Sequence, residues 1–408
     1  MFKKKYYICV APFFPSKIHW SGAYVLDQVK AIQRNSDYEV VVFKTNVWGL
    51  REDDYEVDGI KVFPIRPMLM PSYILNGLTE GLVGMLFVRK LKALGIDPME
   101  VAFVHCHTAN HSAFGFGVKR VNPEVKVIIQ FHDLDPYALR NGKWADKRWN
   151  VRYRARKSLS AFNRADMLIS ISTPVQNNLL AFPKARPQEV YPSYLQRLEQ
   201  VKDFPNVKPK NTYILYNGVD TSVFNAASSL DSSQDKSKFR IGCIGHFQEL
   251  KDHITLIKAF NLLHKRGYKN MVLSLLGTGE TKETCVKYLE VNNLMQYVEW
   301  LKEVTHDKLP KYYHSLDLFV LPSIYEGFGC VYTEAYACGV PFMGVYDQGA
   351  AEVIVPNERN KWLIKPHDYK ELADLIERYY NERYEQHLCQ PYDINELIKG
   401  FLKKIETL

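Results

Sequence analysis

Leu321-Pro322-Ser323-Ile324-Tyr325-Glu326-Gly327-Phe328-Gly329-Cys330-Val331-Tyr332-Thr333-Glu334-Ala335 is the densest signal in this 408-residue chain. A short apolar strand ends at Pro322, and a loop with two glycines opens a helix at about Cys330. The first N–H groups of a helix have no internal partners, and the dipole adds partial positive charge there, so such a start is an anion site. Gly327 and Gly329 let the backbone approach a phosphate closely. Glu326 lies on the loop and Glu334 about one turn into the helix, where carboxylates can accept hydrogen bonds from sugar hydroxyls. The bland reading is a tight turn with two surface acids. Two carboxylates bracketing two glycines at a strand-to-helix junction weigh against it.

Outward from this stretch the same pattern repeats. Apolar runs at 239–245, 271–276, 298–301, 318–321 and 340–343 alternate with helical stretches such as 254–265, and the 271–276 run exits into Gly277-Thr278-Gly279. Nearer the start, runs at 7–11, 39–44, 60–65, 101–105, 125–131, 167–172 and 213–216 make an earlier series, with a loop through Gly22 and a helix at 24–33. Continuous apolar strands spaced by helices indicate parallel sheets. Two such series predict two doubly wound α/β domains, 1–222 and 236–391, joined by a Ser-, Asp- and Ala-rich connector at 222–238. A C-terminal helix, 392–408, is expected to pack back onto the N-terminal domain. A Pro-rich, charged stretch at 183–210 reads as a surface insertion, although its Tyr191 and Tyr194 are of the type that lines a cleft. Ligands of such sheets sit outside the carboxyl ends of the strands, so the crevice between the two domains is the expected site.

Composition agrees with a globular protein. Apolar residues make up 46% and charged residues 24%, which excludes disorder as the default. The cysteines, Cys9, Cys106, Cys243, Cys285, Cys330, Cys338 and Cys389, are odd in number and lack close pairs, which removes a zinc module or disulfide framework and suits a reducing cytoplasm. The basic start and the apolar run to Pro15 read as a first strand rather than a signal peptide, because two prolines interrupt the run and no small-residue cleavage site follows. The later apolar run at 73–88 is broken by Asn76, Thr79 and Glu80 and cannot span a bilayer. Much of the net charge of +8 is concentrated at 140–164, where Trp144, Trp149, Tyr153 and Phe162 interleave with cations. That segment either rests on an anionic membrane or is a solvated helix face. Charge alone would also admit nucleic acid, but no nucleic-acid-binding module is present.

The Glu326–Glu334 run resembles the Glu-x7-Glu motif of retaining glycosyltransferases of family 4, which carry the GT-B fold of two facing Rossmann-like domains around a cleft. The resemblance extends over most of the chain. Asn217-Gly218-Val219-Asp220 with Phe224 is similar to the family's segment closing the first domain. Gly245-His246-Phe247 through Lys251-Asp252 and Ala259-Phe260 is similar to its phosphate-binding loop and following helix. Gly277-Thr278-Gly279, Asp317-Leu318 and Ala337-Cys338-Gly339-Val340-Pro341 also fit.

The resemblance implies roles. Glu326 would hold the donor sugar and Glu334 the ribose. Backbone around Phe328, Gly329, Cys330 and Val331 would bind the diphosphate, and Lys251 would neutralise it, as a mobile point charge suits. Positive charge already in place as the leaving group departs is electrostatic catalysis, so no metal and no cofactor is expected. Gly22 would bring the first loop to the donor phosphates, and Gly245 would open the second. His246 stands where the family has arginine, which implies a weaker phosphate grip, a histidine protonated by that phosphate, or lost activity; Lys251 and both glutamates argue against the last. Asp347-Gln348-Gly349-Ala350-Ala351-Glu352 occupies the place of the family's Gly-Gly loop, with Ala350 for the second glycine. His132, in Phe131-His132-Asp133 at a strand exit, matches the family's histidine near the reacting sugar, while a His-Asp pair can also simply tie down a loop. For His105 and His107 a structural role is expected.

The expected function is therefore transfer of a sugar from a nucleotide-diphosphate donor to an acceptor hydroxyl, with retention implied by the resemblance alone. The expected setting is cell-surface polysaccharide or glycolipid assembly, with a glycan or lipid-linked acceptor and peripheral attachment to the inner face of a membrane. The alternatives are a nucleotide-sugar epimerase or hydrolase on the same fold, or a non-catalytic nucleotide-sugar-binding partner subunit. Base selection is assigned to 301–304.

Overall fold

In a computed structural model of the chain, the described residues are 5–16, 22–46, 52–65, 79–132, 149–180, 207–226, 235, 237–302 and 304–408. They divide into two compact units, one formed by Met1–Asn217 with Ile394–Leu408 and the other by Gly218–Asp393.

The first unit is an eight-stranded sheet in the order β3-β4-β2-β1-β5-β6-β7-β8. Its strands are β1 (Tyr6–Ala11), β2 (Glu39–Thr45), β3 (Tyr55–Val57), β4 (Ile60–Ile65), β5 (Val101–Cys106), β6 (Lys126–Phe131), β7 (Met167–Ser170) and β8 (Thr212–Ile214). All neighbours are parallel except β3 and β4. Strand β3 has no counterpart in the sequence reading. It exists because Asp58 and Gly59 both take positive φ, 49° and 79°, the turn that closes a two-residue hairpin. The run at 167–172 ends early at Ser170 because Ser172 turns to accept the N–H of Val175 at 3.2 Å, opening the next helix.

Among the described residues, the helices between these strands are α1 (Ala23–Arg34), α2 (Glu80–Ala93), α3 (Ser112–Val121), α4 (Trp149–Arg164) and α5 (Thr173–Leu180). The C-terminal helix Ile394–Ile405 buries Ile394, Ile398, Phe401, Leu402 and Ile405, spaced to make one apolar stripe. That stripe joins Val25, Leu26, Val29 and Ile32 of α1 and Tyr7 and Cys9 of β1 in a single core. Asn35 at the end of α1 donates to Asn395 at 3.2 Å.

The second unit is a six-stranded parallel sheet in the order β11-β10-β9-β12-β13-β14. Its strands are β9 (Phe239–Ile244), β10 (Met271–Leu276), β11 (Val298–Leu301), β12 (Leu318–Val320), β13 (Phe342–Val345) and β14 (Leu363–Ile364). Its helices are α6 (His253–Lys265), α7 (Lys282–Val291), α8 (Leu309–Tyr313), α9 (Cys330–Ala337), α10 (Gly349–Val353), α11 (Arg359–Trp362) and α12 (Tyr369–Glu382). Strand order reverses between β9 and β12, so the loops leaving those two strands open at the topological switch point. β13 starts two residues later than expected, since Gly339 takes φ 81° and Pro341 has no N–H to give a ladder.

Asp133, Trp144, Tyr191 and Tyr194 lie outside the described residues, as do most of the 183–210 insertion and the middle of the connector. Among the described residues, no helix is long and apolar enough to cross a membrane.

Candidate functional site

The C-terminal unit gathers its candidate residues at the switch point. After β9, the loop Gly245-His246-Phe247 is stitched to the exit of β10: Gly245 N–H donates to Leu276 O at 3.1 Å and Phe247 N–H to Thr278 O at 2.8 Å. The chain then makes a 3-10 turn over Glu249–Lys251 and passes Asp252 in a left-handed conformation, φ 48°, before α6. Asp252 is buried and accepts from Thr255 Oγ1 at 2.7 Å and from His367 Nδ1 at 2.8 Å, which pins that otherwise costly turn.

The β12 exit meets this turn directly. Ile324 N–H and Ser323 Oγ both donate to Leu250 O at 2.9 Å, and Ser323 Oγ also reaches Tyr325 O at 2.8 Å. These bonds bring Lys251 against Glu326, where Nζ contacts both carboxylate oxygens, Oε2 at 2.9 Å. A third loop holds the other side. Glu326 N–H donates to the buried Gln348 side chain at 3.0 Å, and Gly349 N–H donates to Glu326 O at 3.2 Å. The Gly-Gly-like loop therefore braces the backbone of Glu326, and its Ala350 is buried.

Gly329 is the N-cap of α9 with φ 77° and ψ 69°. A Cβ there would lie 2.5 Å from the Tyr332 ring and 3.1 Å from Cγ of Glu326, so both conformation and space require glycine. Cys330 and Val331, half-buried, begin the helix, while Phe328 is buried beneath the loop. One turn on, Glu334 is 6% exposed. Tyr313 OH donates to its Oε2 at 2.8 Å, and His306 Nε2 lies 3.3 Å from Oε1. Burial, reinforced by Glu334, raises the Tyr313 phenol well above its ordinary pKa, so it stays protonated and acts as donor. Tyr313 and His306 escaped the sequence reading, since neither belongs to a motif.

His246 is exposed on its loop. A neighbouring group was also missed: the buried His253 stacks on Phe247 at 3.9 Å, and Phe247 in turn lies 5.8 Å from Trp300, over which Lys282 Nζ sits at 4.7 Å. Burial, then the charge of Lys251, lowers His253 to about 4, so it is a neutral ring beside the cation. Of the loop assigned to base selection, residue 303 lies outside the described residues.

In the N-terminal unit, Gly22 is the N-cap of α1 with φ 88°, and a Cβ would fall 2.5 Å from Phe13 O in the loop leaving β1. His132 follows β6, and its Nε2 lies 3.0 Å from Nδ1 of His107. The structural role expected of His105 and His107 is thus incomplete for His107, which touches a candidate site residue. His105 is buried and bonded through Nδ1 to Tyr7 OH at 2.7 Å. Burial lowers His132 to about 4 and His105 to about 3.

A parallel α/β unit whose switch point presents a lysine, a glycine-led helix start and two carboxylates has the makings of a nucleotide-binding fold of the GT-B kind. Two family profiles agree on both halves of the chain: residues 21–193 match the one described as Glycosyltransferase Family 4, and residues 228–395 the one described as Glycosyl transferases group 1. Together they span most of the sequence, and the chain belongs to the glycosyltransferases of family 4.

A D-inositol 3-phosphate glycosyltransferase of Mycobacteroides abscessus is 28% identical over 184 residues, 44% of this chain and 41% of that protein. An uncharacterized glycosyltransferase of Methanocaldococcus jannaschii is 23% identical over 335 residues, 80% of this chain and 77% of that protein. The capsular polysaccharide biosynthesis glycosyltransferase CapM of Staphylococcus aureus is 28% identical over 148 residues, 35% of this chain and 37% of CapM. The matches thus span about two fifths of the inositol-phosphate and capsular enzymes. Among solved structures, Anabaena HepE in complex with UDP superposes with a TM-score of 0.66 at 17% identity, covering 98% of this chain and 100% of that one, a likeness of fold.

Proposed function

We propose that this chain transfers a sugar from a nucleoside diphosphate to an acceptor hydroxyl, in the assembly of a surface polysaccharide or glycolipid. The observation that carries the reading is the convergence of Lys251, Glu326 and the Gly329-capped start of α9. In this reading the diphosphate lies on the first N–H groups of α9, near Cys330 and Val331, with Lys251 as its cation. Glu326 takes a sugar hydroxyl and Glu334, oriented by Tyr313, takes the ribose. Glu326 and Lys251 neutralise each other before the donor arrives, so donor binding exchanges that ion pair for contacts with sugar and phosphate. The bond that breaks joins the anomeric carbon to the diphosphate, and the acceptor oxygen takes its place. The acceptor proton passes to the departing phosphate oxygen, whose charge Lys251 and the helix start already face. Gly22, Gly245, His246 and Phe328 are assigned to the donor and His132 to the reacting end. The CapM relative supports the polysaccharide setting.

The test is Glu326→Gln, which keeps shape and removes the charge. Transfer is expected to be lost while the far-UV spectrum and melting curve stay close to wild type. Wild-type turnover would remove Glu326 from the mechanism. Because Lys251 and the helix start supply the positive charge, turnover is further expected to persist in excess EDTA; a strict need for added magnesium or manganese would overturn the phosphate assignment.

A further inference from the structure

Lys251 and Glu326 face each other across two loops that the fold holds in place. The turn carrying Lys251 is tied to the β12 exit by the bonds from Ile324 N–H and Ser323 Oγ to Leu250 O, both 2.9 Å. Asp252, the next residue, is buried and bonded to Thr255 and His367. The backbone of Glu326 is fixed from its other side by Gln348 at 3.0 Å and by Gly349 at 3.2 Å. With both backbones held, what is left to change is the path of the half-buried Lys251 side chain, a flexible four-carbon stem with a point charge at its end. Its Nζ contacts both carboxylate oxygens of the buried Glu326. That carboxylate also borders the start of α9. A Cβ built on Gly329, the N-cap, would lie 3.1 Å from Cγ of Glu326, so the acid stands beside the N–H groups assigned to the diphosphate.

One ammonium placed between a carboxylate and an anion site is contested. A nucleotide sugar compensates both sides of the exchange: Lys251 turns to the diphosphate, and Glu326 receives a sugar hydroxyl, a donor in place of the ammonium. The nucleoside diphosphate left after transfer compensates only one. It draws Lys251 away but brings no hydroxyl to Glu326, whose negative charge then stands beside the diphosphate. Removing one partner from a shielded ion pair is the costly case, because the other charge stays desolvated. Donor and product therefore differ in affinity by more than the hydroxyl contact itself.

We propose that Glu326 discriminates the nucleotide sugar from the spent nucleoside diphosphate by competing for Lys251. Departure of the sugar returns the ammonium to Glu326 and loosens the product. This rests on the reading of Lys251 as the diphosphate cation and of Glu326 as the sugar ligand. An ion pair that only tied the two loops together would act differently: breaking it would weaken every ligand, whereas competition predicts that the diphosphate binds more tightly.

The test is calorimetric titration of the full chain with UDP, GDP and ADP, with UDP-glucose, GDP-mannose and ADP-glucose, and with inorganic pyrophosphate as a probe independent of the base. In Glu326→Gln, pyrophosphate and the preferred nucleoside diphosphate are expected to bind about fivefold or more tighter than in wild type, since the partly shielded ion pair no longer opposes them. The matching nucleotide sugar is expected to gain less or to weaken. In a Lys251→Ala background the same substitution is expected to give a smaller gain, because no ammonium remains to compete for. A diphosphate affinity unchanged or lowered in Glu326→Gln, or a gain of equal size without Lys251, would overturn the proposal. Should the glutamine variant not fold, Glu326→Ala is read in the same way. Equal gains for the nucleotide sugar and its diphosphate would instead overturn the assignment of the sugar to Glu326, a separate outcome from the competition for Lys251.

Discussion

Lys251 and Glu326 are each other's partner in the ligand-free chain, and this sets what a substitution at either does. Glu326 side-chain exposure is 10% and that of Lys251 is 21%, so the pair is shielded enough to matter and open enough for a diphosphate to compete. Lys251→Ala is expected to weaken a nucleoside diphosphate about tenfold or more, since a charge-assisted contact contributes about 1.5–3 kcal/mol. The parent nucleoside should be affected much less. Calorimetric titration of both ligands checks this; equal diphosphate affinity before and after substitution would contradict the contact. Both residues were legible as candidates because each sits in a motif. Their contact was not, since they lie 75 residues apart in sequence. The pairing of Tyr313 with Glu334 was wholly illegible, because a tyrosine in a short apolar helix reads as core, and here it is both core and donor.

At the scale of elements, α4 illustrates how a charge run divides once folded. Arg164 forms two 2.9 Å bonds with Glu80 and lies 4.1 Å over the Phe116 ring, so it belongs to the packing of the unit. Phe162 is buried, and Tyr153 is half-buried beside Lys157. Trp149 is 66% exposed, and Arg156 and Lys157 are exposed, so an aromatic and cations reach the surface of the helix, as a lipid contact requires. On the membrane reading, the chain should co-sediment with anionic but not neutral vesicles at low salt, and release at high salt, each cation contributing about 1 kcal/mol. Exchanging Arg156 and Lys157 for glutamate should weaken that attachment. No preference for anionic vesicles at low salt would leave α4 as a solvated face. The sequence carried the charge and the aromatics; which of them turn inward depended on neighbours from α2 and α3.

For the molecule as a whole, buried histidines make stability depend on pH. His105, His111 and His132 are lowered to between about 3 and about 4, and His107 well below its ordinary value, all chiefly by burial. Each folded pKa lies below the unfolded value of about 6.5, so the unfolded chain binds protons first as pH falls. Stability is therefore full above about pH 6.5 and is lost as pH falls toward 4. Near about pH 5.5 each such histidine removes on the order of 1 kcal/mol, so the four in one unit together cost it a sizeable share of the stability of an ordinary domain. The N-terminal unit should consequently melt first in mild acid, ahead of the unit that holds His253. Differential scanning calorimetry at about pH 7.5 and about pH 5.5 checks this, and a melting profile unchanged between them would show that the imidazoles are protonated in place.

The sequence by itself determined that there would be two parallel α/β series, where most strands and the glycine-led helix starts would fall, and which residues carry charge suited to a diphosphate. These are local matters of apolar runs, helix ends and glycine, which a chain expresses wherever it folds. Tertiary structure alone decided that β9 lies beside β12, and hence that Lys251 meets Glu326. It alone decided that Tyr313 holds Glu334 and that His107 meets His132, and that Asp58-Gly59 closes an extra hairpin. The reason is the same in each case. Strand order and the close approach of buried polar groups are set by which faces must leave water together and by which donors must find acceptors once there, and neither condition is written in the spacing of one segment.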